Sequence, residues 1–294
     1  MMKYWILAIR PKTLTASLGP ALLGIALAYF LEAQINLLIA LLTLLCALFL
    51  QISTNLVNDY YDGIRGTDTE RRIGPTRVTV SGMLSAEAVK KGFITTFVIS
   101  FILGVYLMVH GGLPIVLIGL SSILFAYIYT GGPIPLSHFA LGEVLAFIFF
   151  GPIAVWGSFY LQTKTHSPLA LLLGTGPGFI SAALMAINNL RDQFNDRIAN
   201  KHTLAVIAGE THSRLIPLTF IALSLAVPIV FYYLMKTPLL VFLVCLTPFL
   251  FKTEWQRVYS GPIDQELNNS LAATGKFLFL YCLVFSIILI FPLI

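Results

Sequence analysis

The stretch NLVNDYYDGIRGTD, Asn55–Asp68, decides how this chain folds, because it begins where an apolar segment of about 36–57 ends. Read as a helix, the stretch places Asn55, Asp59 and Asp62 on one face, at positions i, i+4 and i+7. Acidic groups beside a lipid-facing segment are costly and are commonly functional. The stretch therefore predicts a membrane helix whose polar end carries a functional site.

A second stretch has the same design. INNLRDQFND, Ile187–Asp196, places Asn189, Asp192 and Asp196 at positions i, i+3 and i+7. In each stretch an asparagine precedes an aspartate by four positions, Asn55 before Asp59 and Asn188 before Asp192. The two stretches follow the second and the sixth predicted spans, which suggests a parallel pseudo-repeat with two acidic faces across one cavity.

Oxygen ligands on two acidic faces indicate Mg²⁺, and Mg²⁺ held by few carboxylates usually carries a phosphate ligand. The predicted metal ligands are Asp59, Asp62, Asp192 and Asp196, and the predicted catalytic acids are these four with Asp68. The alternative is that helix ends reaching water simply carry acids paired with nearby arginines, such as Arg65 and Arg72.

The composition is that of a membrane protein. Of 294 residues, 57% are hydrophobic and 11% are charged, where soluble domains carry about 25% charged residues. The mean hydropathy is +0.88, and apolar runs long enough to cross a bilayer recur. The fold class predicted is an all-α polytopic bundle that forms a single domain, 1–294. The charged residues lie in short loops between the apolar segments, so the net charge of +5 gives no indication of nucleic-acid binding.

Nine spans are predicted around a central cavity. They are 14–31, 36–57, 92–110, 113–130, 140–160, 168–188, 214–235, 238–251 and 274–293. The eighth is short and contains Pro248, so we expect it to be tilted or broken. A tight turn at 110–112 should join the third span to the fourth.

The basic residues predict the orientation. Sixteen of the eighteen lie on the side of the N-terminus, and only Lys164 and Lys236 lie opposite. The positive-inside rule places the sixteen in the cytoplasm. The sequence therefore predicts a multi-pass protein of the inner or plasma membrane, with the acidic site facing the cytoplasm and the C-terminus outside.

A diphosphate needs cationic partners besides a metal, and Lys12, Arg72, Arg77 and Lys201 are candidates. The alternative for each is the general bias toward basic cytoplasmic loops. Tyr127 and Tyr129 could stabilise a cationic intermediate through their ring faces or mark the membrane interface. The complete set of predicted substrate-binding residues is Lys12, Asn55, Asn58, Arg65, Arg72, Arg77, Tyr127, Tyr129, Asn188, Asn189 and Lys201.

These residues resemble a known family. N-D-x-x-D at Asn58–Asp62 and D-x-x-x-D at Asp192–Asp196 look like the motifs of the UbiA superfamily of intramembrane aromatic prenyltransferases. The runs GPTRVTVSGMLS (Gly74–Ser85) and NNLRD (Asn188–Asp192) are most similar to the 1,4-dihydroxy-2-naphthoate polyprenyltransferase (MenA) branch. The chain departs from the superfamily pattern at position 66, a glycine, where the next acid is delayed to Asp68.

The resemblance implies a reaction. Mg²⁺ bound by both stretches would hold the diphosphate of an allylic polyprenyl donor and help it leave. The ring of 1,4-dihydroxy-2-naphthoate would attack the allylic cation and lose CO₂, giving demethylmenaquinol in menaquinone biosynthesis. The implied partners are polyprenyl diphosphate, the aromatic acceptor and the lipid bilayer.

Other functions stay open at this level. A member of the same family could prenylate 4-hydroxybenzoate, homogentisate, 1,4-dihydroxy-6-naphthoate or haem. A secondary transporter is a different class, but transporters place their ion sites near the bilayer midplane. Here the acids cluster at one face, which favours the enzyme. The sequence does not indicate an oligomeric state or the length of the prenyl chain.

Overall fold

The computed structural model describes residues 1–64, 73–74 and 76–291, without the side chain of Lys12. These residues form thirteen α-helices, with short 3-10 turns at Leu136–His138, Leu239–Phe242 and Thr247–Phe251. The helices are α1 Met2–Ile9, α2 Pro11–Glu32, α3 Leu37–Ile64, α4 Ala86–Gly111, α5 Leu113–Ile128, α6 Gly142–Phe150, α7 Pro152–Thr163, α8 Pro168–Ile198, α9 Leu204–Ser224, α10 Ala226–Met235, α11 Leu243–Leu246, α12 Lys252–Ser260 and α13 Leu267–Ile290.

The predicted all-α membrane bundle is confirmed. Within the described ranges, eight segments are long and apolar enough to cross a membrane. The predicted span at 113–130 corresponds to α5, a shorter apolar helix of 16 residues. The count of nine spans therefore stays a prediction.

Two predicted spans are interrupted, each for a local reason. The span predicted at 140–160 breaks between α6 and α7 at Gly151, where a Cβ would lie 2.5 Å from the Cα of Gly178. This close approach to α8 requires a glycine. The span predicted at 238–251 alternates between 3-10 and α-helix, with Pro248 at the start of its second 3-10 turn. The expected break in that span is confirmed.

The main core lies where α2, α7, α8 and α13 pack together. Leu23, Phe159, Ile180, Phe277 and Tyr281 are fully buried there. These side chains come from four helices, so the core fixes the positions of α2 and α8 relative to one another. The predicted turn between α4 and α5 is confirmed at Gly112, whose φ of 68° lies in the left-handed region.

The helices α3 and α8 continue beyond their apolar segments. The spans were predicted to end near 57 and 188, but α3 ends at Ile64 and α8 at Ile198. The acidic stretches are therefore helical up to those points, as their spacing predicted. Helix α1, which was not predicted, packs on α3, where the Nδ2 of Asn55 donates to the carbonyl of Ile9 at 2.9 Å.

Candidate active site

A cavity of about 1010 Å³ lies inside the bundle. On α3 its lining runs from Thr43 to Asp62, which is about 28 Å at the helical rise of 1.5 Å per residue. Leu107, Ile115 and Phe149 contribute to an apolar wall along this length. Charged residues gather at one end of the cavity, where α3 and α8 end. The residues of this polar end are Arg10, Asn58, Asp62, Arg77, Asn188, Arg191, Asp192, Asn195, Asp196 and Lys201.

The cavity-facing stripe of α3 differs by one residue from the prediction. Asn55, Asn58 and Asp62 line the cavity, but Asp59 is not among the described residues that do so. Adjacent residues on a helix point about 100° apart, and here Asn58 lines the cavity while the carboxylate of its neighbour Asp59 is directed toward Val78 and Thr79. The aspartate of α3 that lines the cavity is therefore Asp62, which lies four residues after Asn58.

Asp59 is turned into the protein instead. It is 1% exposed, and its Oδ2 accepts from the backbone N–H of Val78 at 3.1 Å. Its Oδ1 accepts from the backbone N–H and the hydroxyl of Thr79, at 3.0 and 2.7 Å. The expectation that Asp59 faces the same cavity as Asp62 is thus corrected by the structure, because the downstream chain packs against that side of the helix.

Asp62 and Asn58 each have a partner in the described protein. The Arg77 guanidinium forms an ion pair with the carboxylate of Asp62, and both side chains are largely buried. The hydroxyl of Thr130 donates to Oδ1 of Asn58 at 2.5 Å. The described part of the loop after α3 therefore reaches the mouth of the cavity.

The end of α8 presents Asn188, Asp192 and Asp196 to the same cavity. Arg191, which is 2% exposed, donates from Nε and Nη2 to both carboxylate oxygens of Asp192 at 2.9 and 2.5 Å. It also donates to Oδ1 of Asn188 and Oδ1 of Asn268, both at 2.9 Å. A buried arginine that donates to three neighbouring side chains is a rigid part of the cavity wall.

Lys201 forms an ion pair with Asp196, with 3.2 Å between Nζ and Oδ1. The backbone N–H of Lys201 also donates to the carbonyl of Asp196 at 2.8 Å. Asn200, between them in the turn, has a φ of 54°, a left-handed conformation that asparagine tolerates. The turn after α8 thereby brings the Lys201 ammonium back beside the Asp196 carboxylate at the cavity.

Asn189 and Tyr129 line the cavity beside the acids. The Nδ2 of Asn189 donates to Oε1 of Glu143 at 2.9 Å, deep between α6 and α8. The hydroxyl of Tyr129 lies 3.3 Å from the sulfur of Met185.

Asn55 and Tyr127 have mainly internal contacts. Both hydrogens of the Asn55 amide are used, toward the carbonyl of Ile9 and the hydroxyl of Thr13. Tyr127 packs edge-on against Tyr61, with 2.5 Å between the hydroxyls, and is outside the set of described cavity-lining residues. The predicted substrate contact of Tyr127 is therefore not supported by its placement.

Four predicted site residues cannot be placed. Arg65, Asp68 and Arg72 lie outside the described residues, and so does the side chain of Lys12.

A comparison with known families settles the class of the protein. The model of the UbiA prenyltransferase family matches residues 17–283. The chain belongs to the UbiA prenyltransferase family. It is accordingly an intramembrane prenyltransferase and a multi-pass membrane protein, as the resemblance of its motifs implied.

Family members with related sequences include two bacterial enzymes. The 1,4-dihydroxy-2-naphthoate octaprenyltransferase of Escherichia coli is 37% identical over 216 residues, which cover 71% of this chain and 70% of that relative. The protein of the same name from Mycobacterium tuberculosis is 32% identical over 279 residues, covering 95% of this chain and 94% of its own.

Solved structures of the family share the fold. A UbiA homolog from Archaeoglobus fulgidus bound to GPP and Mg²⁺ superposes with a TM-score of 0.69 at 16% identity, covering 98% of this chain and 99% of that one. An apo UbiA homolog from Aeropyrum pernix K1 gives a TM-score of 0.71 at 16% identity, covering 94% and 98%.

The donor set at the polar end of this UbiA family member fits Mg²⁺ shared with a ligand. Among the described residues, no three His, Cys, Asp or Glu side chains cluster closely enough to hold a metal alone. Asp62 with Asn58, and Asp192 and Asp196 with Asn188, instead offer a few hard oxygens from two sides. Mg²⁺ sites that include substrate phosphates are built in this way.

Three contributors to the site were missed from the sequence. Arg10 lines the cavity from the left-handed turn between α1 and α2, and its Nη2 is buried with no hydrogen-bond partner in the described ranges. Arg191 and Asn268 were also missed, although the position of Arg191 inside the acidic stretch Ile187–Asp196 was a signal available from the sequence. Arg10 and Asn268 are brought to the site only by tertiary packing.

Proposed function

We propose that this protein transfers a polyprenyl group from an allylic polyprenyl diphosphate to 1,4-dihydroxy-2-naphthoate in a Mg²⁺-dependent reaction. The ring carbon that bears the carboxylate attacks the first carbon of the prenyl chain, and diphosphate leaves with the bonding electron pair. Loss of CO₂ then returns an electron pair to the ring and restores its aromaticity. The products are demethylmenaquinol, CO₂ and diphosphate.

One observation carries this proposal. Two Asn–Asp pairs, Asn58 with Asp62 and Asn188 with Asp192, line the same polar end of a long apolar cavity. A polyprenyl diphosphate has the matching polarity, with an anionic head on an extended apolar tail. Carboxylate and amide oxygens presented from two sides are ligands that Mg²⁺ prefers, and Mg²⁺ held by few carboxylates takes phosphate ligands, so the arrangement favours a bound metal and an anionic ligand.

We assign Asp62, Asp192 and Asp196 to hold the metal ions. Bound Mg²⁺ would supply Lewis-acid stabilisation of the departing diphosphate. Arg10, Arg77 and Lys201 line the same end and offer donors to the diphosphate oxygens. Arg77 and Lys201 now pair with acids, so in the complex they exchange a carboxylate for a phosphate oxygen or bridge the two.

The apolar wall has its own part in the reaction. It holds the prenyl tail and keeps water from the allylic cation, which would otherwise be hydrolysed. Tyr129 lines the cavity, where its ring face can stabilise developing positive charge.

Different observations support the identity of the acceptor and the side of the membrane that the active site faces. The relatives with 32% and 37% identity over most of this chain carry the naphthoate acceptor in their names. The distribution of basic residues favours a cytoplasmic active site in the cell membrane.

The test is an acceptor panel with one labelled donor. The purified protein in detergent is incubated with Mg²⁺, farnesyl diphosphate and, in separate reactions, 1,4-dihydroxy-2-naphthoate, 4-hydroxybenzoate, homogentisate or 1,4-dihydroxy-6-naphthoate. Mass spectrometry should detect a prenylated, decarboxylated product with the first acceptor. A product with another acceptor alone would overturn the naphthoate assignment, and donor-dependent product after full chelation would overturn the role of the metal.

A further inference from the structure

Asp59 has the contacts of a structural clamp. Its two carboxylate oxygens accept three hydrogen bonds from Val78 and Thr79, at 2.7 to 3.1 Å, and the residue is 1% exposed. A carboxylate that accepts several backbone N–H groups is strongly held in one orientation. To reach a metal in the cavity, it would have to release all three donors and leave them buried.

The clamped segment is the turn Arg77–Thr79, hereafter the 77–79 turn. Val78 is fully buried in a small apolar cluster with Leu56, Val57 and Val89. The backbone N–H of Leu84 closes the turn by donating to the carbonyl of Val78 at 3.2 Å. Apolar packing and the carboxylate of Asp59 therefore hold the same short segment against α3.

A glycine on α3 makes room for this turn. A Cβ on Gly63 would lie 2.8 Å from Cγ2 and 2.9 Å from Cβ of Thr79. Both distances are shorter than carbon atoms tolerate, so any larger residue would push the turn away from the helix. Asp59 attracts the 77–79 turn from one position of α3, and Gly63 admits it one turn further along.

The consequence of the clamp lies one residue upstream of Val78. Arg77 forms the ion pair with Asp62 at the cavity mouth, and it lines the cavity. A long arginine side chain costs conformational entropy to hold in place, and anchoring its neighbouring backbone lowers that cost. Asp59 and Asp62, three residues apart on α3, thus grip the backbone and the side chain of the same turn.

We propose that Asp59 is a positioning residue that fixes the 77–79 turn and thereby aims Arg77 at the anionic head of the donor, and that it is not a metal ligand. The catalytic part of this inference rests on the proposed function. The structural part, the clamp, does not depend on it.

The clamp is tested by hydrogen–deuterium exchange of the full-length protein in detergent without substrate. In Asp59→Asn an NH2 group replaces one of the two accepting oxygens and the negative charge is lost, so one backbone donor loses its acceptor and the others keep only a weaker one. The amides of Val78 and Thr79 should then exchange about tenfold faster, the size expected for loss of a charge-assisted hydrogen bond. Glu87→Gln, an exposed change in the first turn of α4, should leave this segment unchanged. Unaltered exchange in Asp59→Asn would overturn the clamp, whether or not the enzyme is active.

Steady-state kinetics tests the positioning. Asp59→Asn should raise the KM for the polyprenyl diphosphate about tenfold through the misplaced arginine, while the Mg²⁺ concentration for half-maximal rate stays within about twofold of wild type. Asp192→Asn should instead raise the Mg²⁺ requirement. A raised Mg²⁺ requirement in Asp59→Asn, with normal exchange at 78–79, would show that Asp59 is a ligand.

Gly63→Ala provides the matched variant, because it displaces the turn and changes no carboxylate. It should reproduce the raised donor KM and the faster exchange, with a normal Mg²⁺ requirement and a normal KM for the acceptor. Faster exchange with an unchanged donor KM in both variants would overturn the link from the turn to Arg77. If Asp59→Asn fails to fold, Gly63→Ala and Thr79→Val, which removes only the hydroxyl donor, decide the same question.

Discussion

The end of α3 and the end of α8 present the same chemistry to the cavity but are supported in different ways. Each offers an asparagine and an aspartate four positions apart, Asn58 with Asp62 and Asn188 with Asp192. On α8 the cationic partner, Arg191, is the preceding residue of the same helix. On α3 the partner, Arg77, comes from a turn fifteen residues downstream that Asp59 holds in place.

The difference indicates that the α8 side of the site is fixed by the packing of the helices. The α3 side depends instead on a short segment that docks onto the helix. Arg191 is buried and bonded to Asp192, Asn188 and Asn268, so its position is fixed as soon as α8 and α13 pack. Arg77 depends on the docking of a short segment. We therefore expect changes on the α8 side to affect stability, and changes around the 77–79 turn to affect donor binding.

The largest effect that we expect is a loss of activity, and it tests whether the ends of α3 and α8 act together. Asp62→Asn and Asp192→Asn should each lower kcat/KM by at least about 100-fold, as expected for removal of one strong transition-state stabiliser. The double variant should be little worse than either single, because the two sides hold one diphosphate. Initial rates of diphosphate release, with Glu87→Gln as the control, measure this. Near-normal rates in either single variant would mean that only one side binds the metal.

A second prediction compares the loss of stability when the arginine is removed from the α8 side and from the α3 side. Arg191→Gln leaves the Asp192 carboxylate without its partner in the bundle and should destabilise the protein by about 3–5 kcal/mol. Arg77→Gln should cost less, about 1.5–3 kcal/mol for the loss of one charged pair, because Arg191 also holds Asn188 and Asn268. Denaturant unfolding in detergent gives both values. The reverse order would contradict the proposed division between the two helix ends.

The hydropathy pattern was sufficient to predict the membrane bundle, and the spacing of the acids was sufficient to predict that both stretches contribute to one cavity. Neither could predict whether Asn58 or Asp59 faces the cavity. Both residues are polar and adjacent, and the rotation of α3 is set by its packing against α1 and α4. The roles of Arg10 and Asn268 could not be predicted either, because both lie 45 or more residues from either acidic stretch in the sequence and reach the acids only by tertiary packing.

The smallest effect that we expect is a change in donor binding when the turn after α8 is altered. Lys201 pairs with Asp196 and is itself partly exposed, so the pair contributes little to stability. Lys201→Gln should raise the donor KM about threefold, with a change in unfolding free energy below about 1 kcal/mol. Donor titrations at saturating acceptor measure the first quantity. A donor KM equal to that of wild type would remove Lys201 from the diphosphate site.

The central claim is that both helix ends hold one donor diphosphate through Mg²⁺. The most direct measurement is calorimetric binding of an unreactive farnesyl thiolodiphosphate to the detergent-solubilised protein, with Mg²⁺ and after chelation. Wild type should bind only with Mg²⁺, and Asp62→Asn and Asp192→Asn should each weaken binding by about tenfold or more. Unchanged affinity after chelation, or in either variant, would contradict a diphosphate shared between α3 and α8.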